Sequence, residues 1–331
     1  MRGTPHRLIS SYLSNRSQFV RIGSSFSNTN LIELGVPQGT ILGPILFLIY
    51  INDLAHISPL ITSVLFADDT TLLFRHSSFH QLESICNSEF EKFRKWSICN
   101  RLSLNLDKSY VFFVSNRTTN RDPCIYFDNV PLAVVPSCTF LGVKIDNDLK
   151  FKSHIDHVCL KVAKSFGVLY KISYLIPDHI RRNLYFSFIH PYLAYCVCVW
   201  SNTSRTLLKP AITIQKRSVR AIYHTEYLAH TGPIFLEHNL LKFIDIKRYF
   251  IACHVFKNYN NFPLSSSQHN HITRAFSDLL VPRTRTVLAD NSIYVSGPTV
   301  WNNLPESLKS IPSMRLSLFK KQLKTYLIHD Y

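Results

Sequence analysis

Asp68 and Asp69 stand side by side in Phe66-Ala67-Asp68-Asp69, a polar centre inside the apolar stretch Val64 to Phe74. An apolar run broken by such a centre is a hairpin pattern, which predicts both carboxylates at a solvent-facing tip. Their like charges repel there, and a divalent cation relieves the repulsion. Hard carboxylate oxygens suit magnesium, which keeps part of its water shell and takes other ligands from substrate phosphates. Two such metals can activate an attacking hydroxyl and stabilise the leaving oxygen of an in-line phosphoryl transfer. An ordinary turn with two exposed aspartates is the plainer explanation, and on the tetrapeptide alone it wins.

A second cluster is Gly35-Val36-Pro37-Gln38-Gly39-Thr40-Ile41-Leu42-Gly43-Pro44. The chain has only 9 glycines, and three of them fall between Gly35 and Gly43. Glycine gathers where the backbone turns sharply or a ligand must come close to it. Gln38 is placed to offer its amide to the sugar, base or phosphate of a nucleotide. A loop leading into a helix accounts for the same residues.

The elements that must hold these groups follow from pattern. Residues 8–22 read as the end of a helix entering a strand, and the Gly-rich turn leads into an apolar helical segment through Leu54. Residues 79–100 place Leu82, Ile85, Cys86, Phe90, Phe93 and Trp96 on one helical face. Tyr110 to Ser115 reads as a strand, and 124–146 as two or three more. From about Lys150 the pattern is helical, with breaks expected at Pro177, Pro191 and Pro210. The polar stretch Asn258 to His271 reads as a linker, and Ser313 to Tyr326 as an amphipathic helix with Leu316, Phe319, Leu323 and Leu327 on one side.

Composition narrows the classes. The 331 residues carry 37 Lys+Arg against 21 Asp+Glu, a net charge of +16, of which only +2 lies in residues 1–110 and +14 in 111–331. Such a balance suits a polyanion, nucleic acid first and an anionic membrane surface second. The start has no apolar run of signal-peptide type, and Ile41 to Ile51 is too short to span a bilayer. The expected setting is intracellular, cytoplasmic or nuclear, without a membrane. Eight scattered cysteines argue for reduced thiols rather than a disulfide framework. His154, His157 and Cys159 lack a second ligand pair at zinc spacing and are expected on a helix surface.

Taken together, these blocks resemble a reverse transcriptase of the non-LTR (LINE, jockey-like) retrotransposon type. Ser11-Tyr12-Leu13-Ser14-Asn15-Arg16-x-Gln18-x-Val20 resembles the segment between the family's first two catalytic motifs. Gly35 to Leu54 resembles the second motif and Phe66-Ala67-Asp68-Asp69 the third. Trp96 to Asn100 with Leu104-Asn105-x-x-Lys108 resembles the fourth, and Phe140-Leu141-Gly142-Val143-Lys144-Ile145-Asp146 the fifth. Gly297-Pro298-x-x-Trp301-Asn302-x-Leu304-Pro305 resembles the C-terminal region of animal members.

The resemblance implies an α+β fold. A partial polymerase palm, an antiparallel sheet with packed helices, would fill 1–148. A basic α-helical thumb-like region would follow at 149–260, and a C-terminal helical tail at 272–331. It implies an RNA-directed DNA polymerase, a nucleotidyltransferase of a transposable element, that extends a DNA primer on an RNA template with dNTPs. The cofactor would be Mg2+, with Mn2+ as the substitute, held by Asp68 and Asp69. Pro37, Gln38 and Gly39 would line the nucleotide pocket. Phe66 would lie near the primer terminus, Leu141 and Gly142 in the primer grip, and Lys108 would serve the departing pyrophosphate. A surface lysine at a helix end remains the alternative for Lys108.

Charge supports the thumb assignment independently. Residues 150–225 hold 12 Lys+Arg and 2 Asp, which suits the phosphates of an RNA–DNA hybrid. Phe166, Tyr170, Tyr174, Tyr185 and Phe186 lie among these charges and, at helical spacing, are expected in the core rather than as stacking platforms.

One departure matters. The family's first motif supplies a further Asp, whereas residues 1–32 contain no Asp or Glu. The chain is therefore expected to be a truncated copy, inactive alone. The rival expectation is a nucleic-acid-binding remnant without catalysis.

Overall fold

The computed structural model describes residues 2–33, 35–37, 39–115, 121–267, 278–309 and 315–329. Contacts divide the chain into two compact units, Met1–Val111 with Arg121–Val134, and Phe112–Asn120 with Val135–Tyr331.

The first unit opens with α1 (Thr4–Leu13), which buries none of its residues. Four short strands follow: β1 (Arg16–Gln18), β2 (Arg21–Ile22), β3 (Ser25–Phe26) and β4 (Asn30–Ile32). They nest as two antiparallel pairs, β1 with β4 and β2 with β3. The Gly-rich loop then enters α2 (Leu42–Ile51), which passes into a 3-10 turn at Asn52–His56. The hairpin of β5 (Thr62–Phe66) and β6 (Asp69–Leu73) comes next, then α3 (Phe79–Cys99), whose first turn is capped by Ser78 accepting from the Gln81 N–H. A 3-10 turn at Leu106–Lys108 leads to β7 (Tyr110–Phe112), and β8 (Tyr126–Phe127) pairs with β9 (Val130–Pro131). The β8–β9 turn is Asp128-Asn129, with φ of 51° and 63°, the left-handed pair that a two-residue hairpin turn demands and that Asp and Asn tolerate.

The core of this unit forms where α3 meets the strands and the end of α2. Cys86 and Phe93 are buried with Ile51, Leu54, Ile125, Phe127 and Leu132, and Leu82, Phe90 and Trp96 pack against them. The helical face read from the sequence is therefore the buried one. Polar groups fix α3 to β8. Glu83 accepts two bonds from Arg121, at 2.8 and 2.7 Å, and one from the Cys124 N–H at 2.7 Å. Asn87 donates to the Cys124 carbonyl and accepts from the Tyr126 N–H. The Arg121 bonds, then the Cys124 N–H, hold the Glu83 carboxyl down at about 2.

Among the described residues the strands pair only two by two. The antiparallel sheet expected of a palm is thus present as separate short ladders. These strands are two to five residues long.

In the second unit, β10 (Ala133–Val135) spans the division and the hairpin of β11 (Ser137–Phe140) and β12 (Val143–Asp146) precedes the helices. The helices are α4 (Lys152–Ile172), α5 (Asp178–Phe188), α6 (His190–Ala194), α7 (Val197–Trp200), α8 (Arg205–Ile222), α9 (Gly232–Glu237), α10 (Phe243–Lys257), α11 (Val287–Asp290), α12 (Ile293–Asn302), α13 (Glu306–Lys309) and α14 (Leu316–His329). They bury one extended apolar core containing Tyr185, Trp200, Phe235, Phe243, Trp301 and Phe319. Inside it, Gln215 donates to the Tyr185 hydroxyl and the Leu241 carbonyl and accepts from the Phe243 N–H. A fully bonded amide of this kind fixes α8 against α5 and the start of α10.

Several sequence expectations change here. Pro210 does not break a helix: it sits inside α8. A proline near the first turns forfeits one hydrogen bond, and burial of Leu208, Ala211, Val219 and Ile222 carries the helix through. His154 is not a surface residue. It is 3% exposed, packs on Trp200, and its Nδ1 accepts the Lys144 N–H at 3.2 Å. Burial, then the nearby His157 and Lys144, pushes its imidazole down to about 4. Of the five aromatics expected in the core, Tyr185 is fully buried, while Tyr170 and Tyr174 are exposed.

The C-terminal segment is built into the same core. Asn302 bonds both backbone groups of Leu279, accepting its N–H at 3.0 Å and donating to its carbonyl at 2.8 Å. A Cβ on Gly297 would meet Val255 and Phe262 at 3.1 Å, so glycine permits the close packing of α12 on α10. Ser313, expected at the head of the last helix, lies outside the described residues, as do positions 268–271 of the expected linker. Phe262, in the same stretch, is buried.

Candidate active site

The carboxylate hairpin is as tight as an antiparallel turn can be. Phe66 pairs with Asp69, leaving Ala67 and Asp68 as the two-residue tip. Ala67 has φ of 50°, a left-handed conformation that a side chain disfavours. Alternation along the strands sets the faces. Leu65 and Leu72 pack toward the core of the unit, so Phe66 and its partner Asp69 share the opposite face. Phe66 is 61% exposed, and both aspartates are exposed.

Among the described residues neither Asp68 nor Asp69 is in an ion pair. Two adjacent, unneutralised carboxylates are a hard-oxygen donor set, and their chemistry fits a divalent cation. Among the described residues no three His, Cys, Asp or Glu side chains gather into a metal-sized cluster.

The Gly-rich loop is held from within by Thr40 and from outside by Tyr12 and Arg16. Gly35 and Gly39 have φ of 80° and 76°, so both need the freedom of glycine. Thr40 is the hub. Its Oγ1 donates to the Pro37 carbonyl at 2.9 Å, accepts from the Gly43 N–H at 3.3 Å, and shares a 2.6 Å bond with the Tyr12 hydroxyl. Arg16 Nη2 donates to the Gly35 carbonyl at 2.5 Å. Gly43 is buried beneath the loop, where a Cβ would lie 3.1 Å from Thr40 Oγ1. Gln38 lies outside the described residues.

Lys108 is exposed at the end of its 3-10 turn. Asn105 Oδ1 accepts the Lys108 N–H at 3.2 Å, so the Asn105-x-x-Lys108 spacing makes a local cap that fixes the lysine backbone. Leu141 and Gly142 form the tip of the β11–β12 hairpin, with φ of 45° and 80°. Tyr195 secures that tip by donating from its hydroxyl to the Leu141 carbonyl at 2.6 Å. The Tyr195 carbonyl in turn accepts from the buried Trp200 indole at 2.8 Å. Of the expected site residues, the structure thus pairs Phe66 with Asp69 and joins Leu141 to Gly142. Pro37 and Gly39 share the loop around Thr40.

Sequence reading missed Tyr12, Arg16, Thr40 and Tyr195 as positioning residues. Tyr12 and Arg16 lie within a quoted block, yet nothing in their local spacing signals partners 28 and 19 residues away.

Comparison with known proteins bears on the same residues. Residues 1–145, which include the Gly-rich loop, the carboxylate hairpin and most of the β11–β12 hairpin, match the family described as reverse transcriptase (RNA-dependent DNA polymerase). The matched stretch is somewhat under half of the chain, and it is this stretch that is similar to the family.

Several curated proteins of transposable elements are similar to this chain over more than half of its length. It is 28% identical over 247 residues to a probable RNA-directed DNA polymerase from transposon X-element of Drosophila melanogaster, covering 72% of this chain and 27% of that one. It is 23% identical over 240 residues to the RNA-directed DNA polymerase from mobile element jockey of the same species, covering 69% and 26%. A probable RNA-directed DNA polymerase from transposon BS, also of that species, is 24% identical over 247 residues, covering 70% and 27%. The chain therefore spans about a quarter of the length of the curated relatives it matches. No solved structure matches it significantly. No helix among the described residues is long and apolar enough to cross a membrane.

Proposed function

We propose that this chain is the nucleotide-pocket, carboxylate-hairpin and thumb part of an RNA-directed DNA polymerase that extends a DNA primer on an RNA template. The observation that carries the reading is the paired tip of Phe66 and Asp69, with Asp68 beside it, exposed and, among the described residues, in no ion pair. Asp68 and Asp69 would hold Mg2+, or Mn2+ in its place, which supplies charge neutralisation for phosphoryl transfer from dNTPs. Pro37, Gln38 and Gly39 border the nucleotide pocket, with Tyr12 and Arg16 keeping the loop in place. Phe66 meets the primer end, and Leu141 and Gly142 grip the primer, braced by Tyr195. Lys108 offers its ammonium to the departing pyrophosphate. The palm lies in residues 1–148, the thumb in 149–260 and the tail in 272–331.

A two-metal reaction needs a further carboxylate from another strand. Residues 1–32 contribute none, and we therefore expect the 331 residues alone to be inactive. Primer extension by the purified chain, on an RNA template with dNTPs and Mg2+, tests this. Incorporation that disappears in Asp68→Ala would overturn the inactivity and retain the site. Incorporation that persists in Asp68→Ala would overturn the site.

A second reading, nucleic-acid binding without catalysis, has its own support. Tyr170 and Tyr174 are exposed, and the Tyr174 ring stacks on His224 with centroids 3.9 Å apart. Arg217 and Arg220 line the same groove. Exposed aromatics among cations suit stacked bases and backbone phosphates. Salt-dependent binding of an RNA–DNA hybrid that is weakened by Tyr174→Ala and unchanged by Asp68→Ala supports this reading.

A further inference from the structure

The second unit contains a cavity of about 500 Å³ whose charges are all of one sign. Its walls come from α5, α6, α7, α10 and α14, with Phe186, Tyr249 and Phe250 as aromatic surface and Lys257, Lys320 and Lys324 as cations. Arg182 joins them. Its guanidinium carbon lies 4.9 Å from the Phe186 ring centroid, and Lys324 Nζ lies 5.2 Å from the same centroid. Two cations thus converge on one aromatic ring.

Convergent cations normally draw a carboxylate between them. The sequences of these five helices contain only two acids, Asp178 and Asp245. Each is committed one turn along its own helix, Asp178 to Arg181 at 3.0 Å and Asp245 to Arg248 at 3.4 Å. Among the described residues no ion pair involves Lys257, Lys320, Lys324 or Arg182. Burial, and then Arg182, holds the Lys324 ammonium below its ordinary range. Withdrawing an ammonium from water beside another cation is unfavourable unless an anion compensates. The cavity has the size of a small-ligand site, and its aromatic wall adds a preference for a flat ring.

We propose that this cavity binds the phosphoryl group of a nucleotide, with Lys320, Lys324 and Lys257 on the phosphate oxygens and the base against the aromatic wall. Phosphate oxygens are strong acceptors for convergent ammonium donors. The C-terminal helix α14 supplies two of the three lysines, which gives the tail a binding role separate from the carboxylate hairpin. The site goes beyond the polymerase reading, because none of its residues belongs to that site.

Isothermal titration of the full chain with ATP, and separately with a uridine decanucleotide, tests the proposal. EDTA is present throughout to silence any metal-dependent nucleotide site. Lys320→Gln and Lys324→Gln should each weaken binding about tenfold, the loss expected for one charged hydrogen-bond donor. Lys321→Gln, which removes the same charge from a residue lining a different cavity, should change it less than about twofold. Binding of ATP assigns a free nucleotide, and binding of the oligonucleotide alone assigns the phosphates of a strand. Lys324→Arg, which keeps the charge, should retain binding and controls for folding, with near-ultraviolet circular dichroism as the check. Absence of binding to either probe, or an equal loss in all three glutamine variants, would overturn the proposal.

Discussion

The two units put their apolar side chains to different use. In the first, α2 carries Ile45, Leu48, Ile49 and Tyr50 largely in solvent, and α1 buries nothing. In the second, five large aromatics, Tyr185, Trp200, Phe235, Phe243 and Phe319, are fully buried. The candidate chemistry sits in the lightly packed unit, on a hairpin tip and a glycine loop held by a few long-range hydrogen bonds. The larger buried apolar core sits in the other. The lesson is that the exposed carboxylates and the glycine loop lie in one unit and the larger buried apolar core in the other.

Substitution can break that contrast. Trp200→Ala empties the centre of the helical core and frees the Tyr195 carbonyl, so urea unfolding followed by far-ultraviolet circular dichroism should show a loss of about 3–5 kcal/mol. Gln215→Leu leaves the buried Phe243 N–H without an acceptor and should cost about 1–3 kcal/mol in the same experiment. Gly297→Ala forces a methyl against Val255 and Phe262 and should cost about 1–3 kcal/mol. Leu48→Ser on α2 should stay within about 0.5 kcal/mol. If Leu48→Ser matched Trp200→Ala, the two units would not differ as described.

Acid should separate the units as well. The His154 imidazole is held at about 4, below its ordinary value of 6.5. The unfolded chain therefore binds a proton first, and this residue draws down stability as pH falls from 6.5 toward 4. Glu83 is held at about 2, below its ordinary 4.5. Its contribution is complete above 4.5 and is lost as pH falls toward 2. The helical unit should soften first, and His154→Gln should flatten the upper part of the stability–pH curve while Glu83→Gln flattens only the lower part.

What the sequence revealed follows the range of the interactions. The carboxylate hairpin was legible because alternation and a two-residue tip are local, and the buried face of α3 because its period is local too. Tyr12, Arg16 and Tyr195 were not, since each acts through one bond to a residue far along the chain. His154 looked like a surface residue because its spacing on α4 says nothing of the Lys144 N–H or Trp200 that enclose it. The aromatics between Phe166 and Phe186 shared one period, yet α4 and α5 turn only some of them inward. A period gives a face but not what covers it.

One detail of the second unit bears on how it can be handled. Residues on either side of positions 268–277 are stitched together: the Leu280 N–H donates to the Pro263 carbonyl at 2.8 Å, and the Ser265 N–H to the Asp278 carbonyl at 2.9 Å. Leu264 and Leu279 add an antiparallel bridge to the same stem. Doubling the length of a closed loop adds only about 0.6 kcal/mol of entropy cost. An epitope, a fluorophore-bearing peptide or a protease recognition sequence inserted beyond the stem would test how far these bonds alone hold the two sides together.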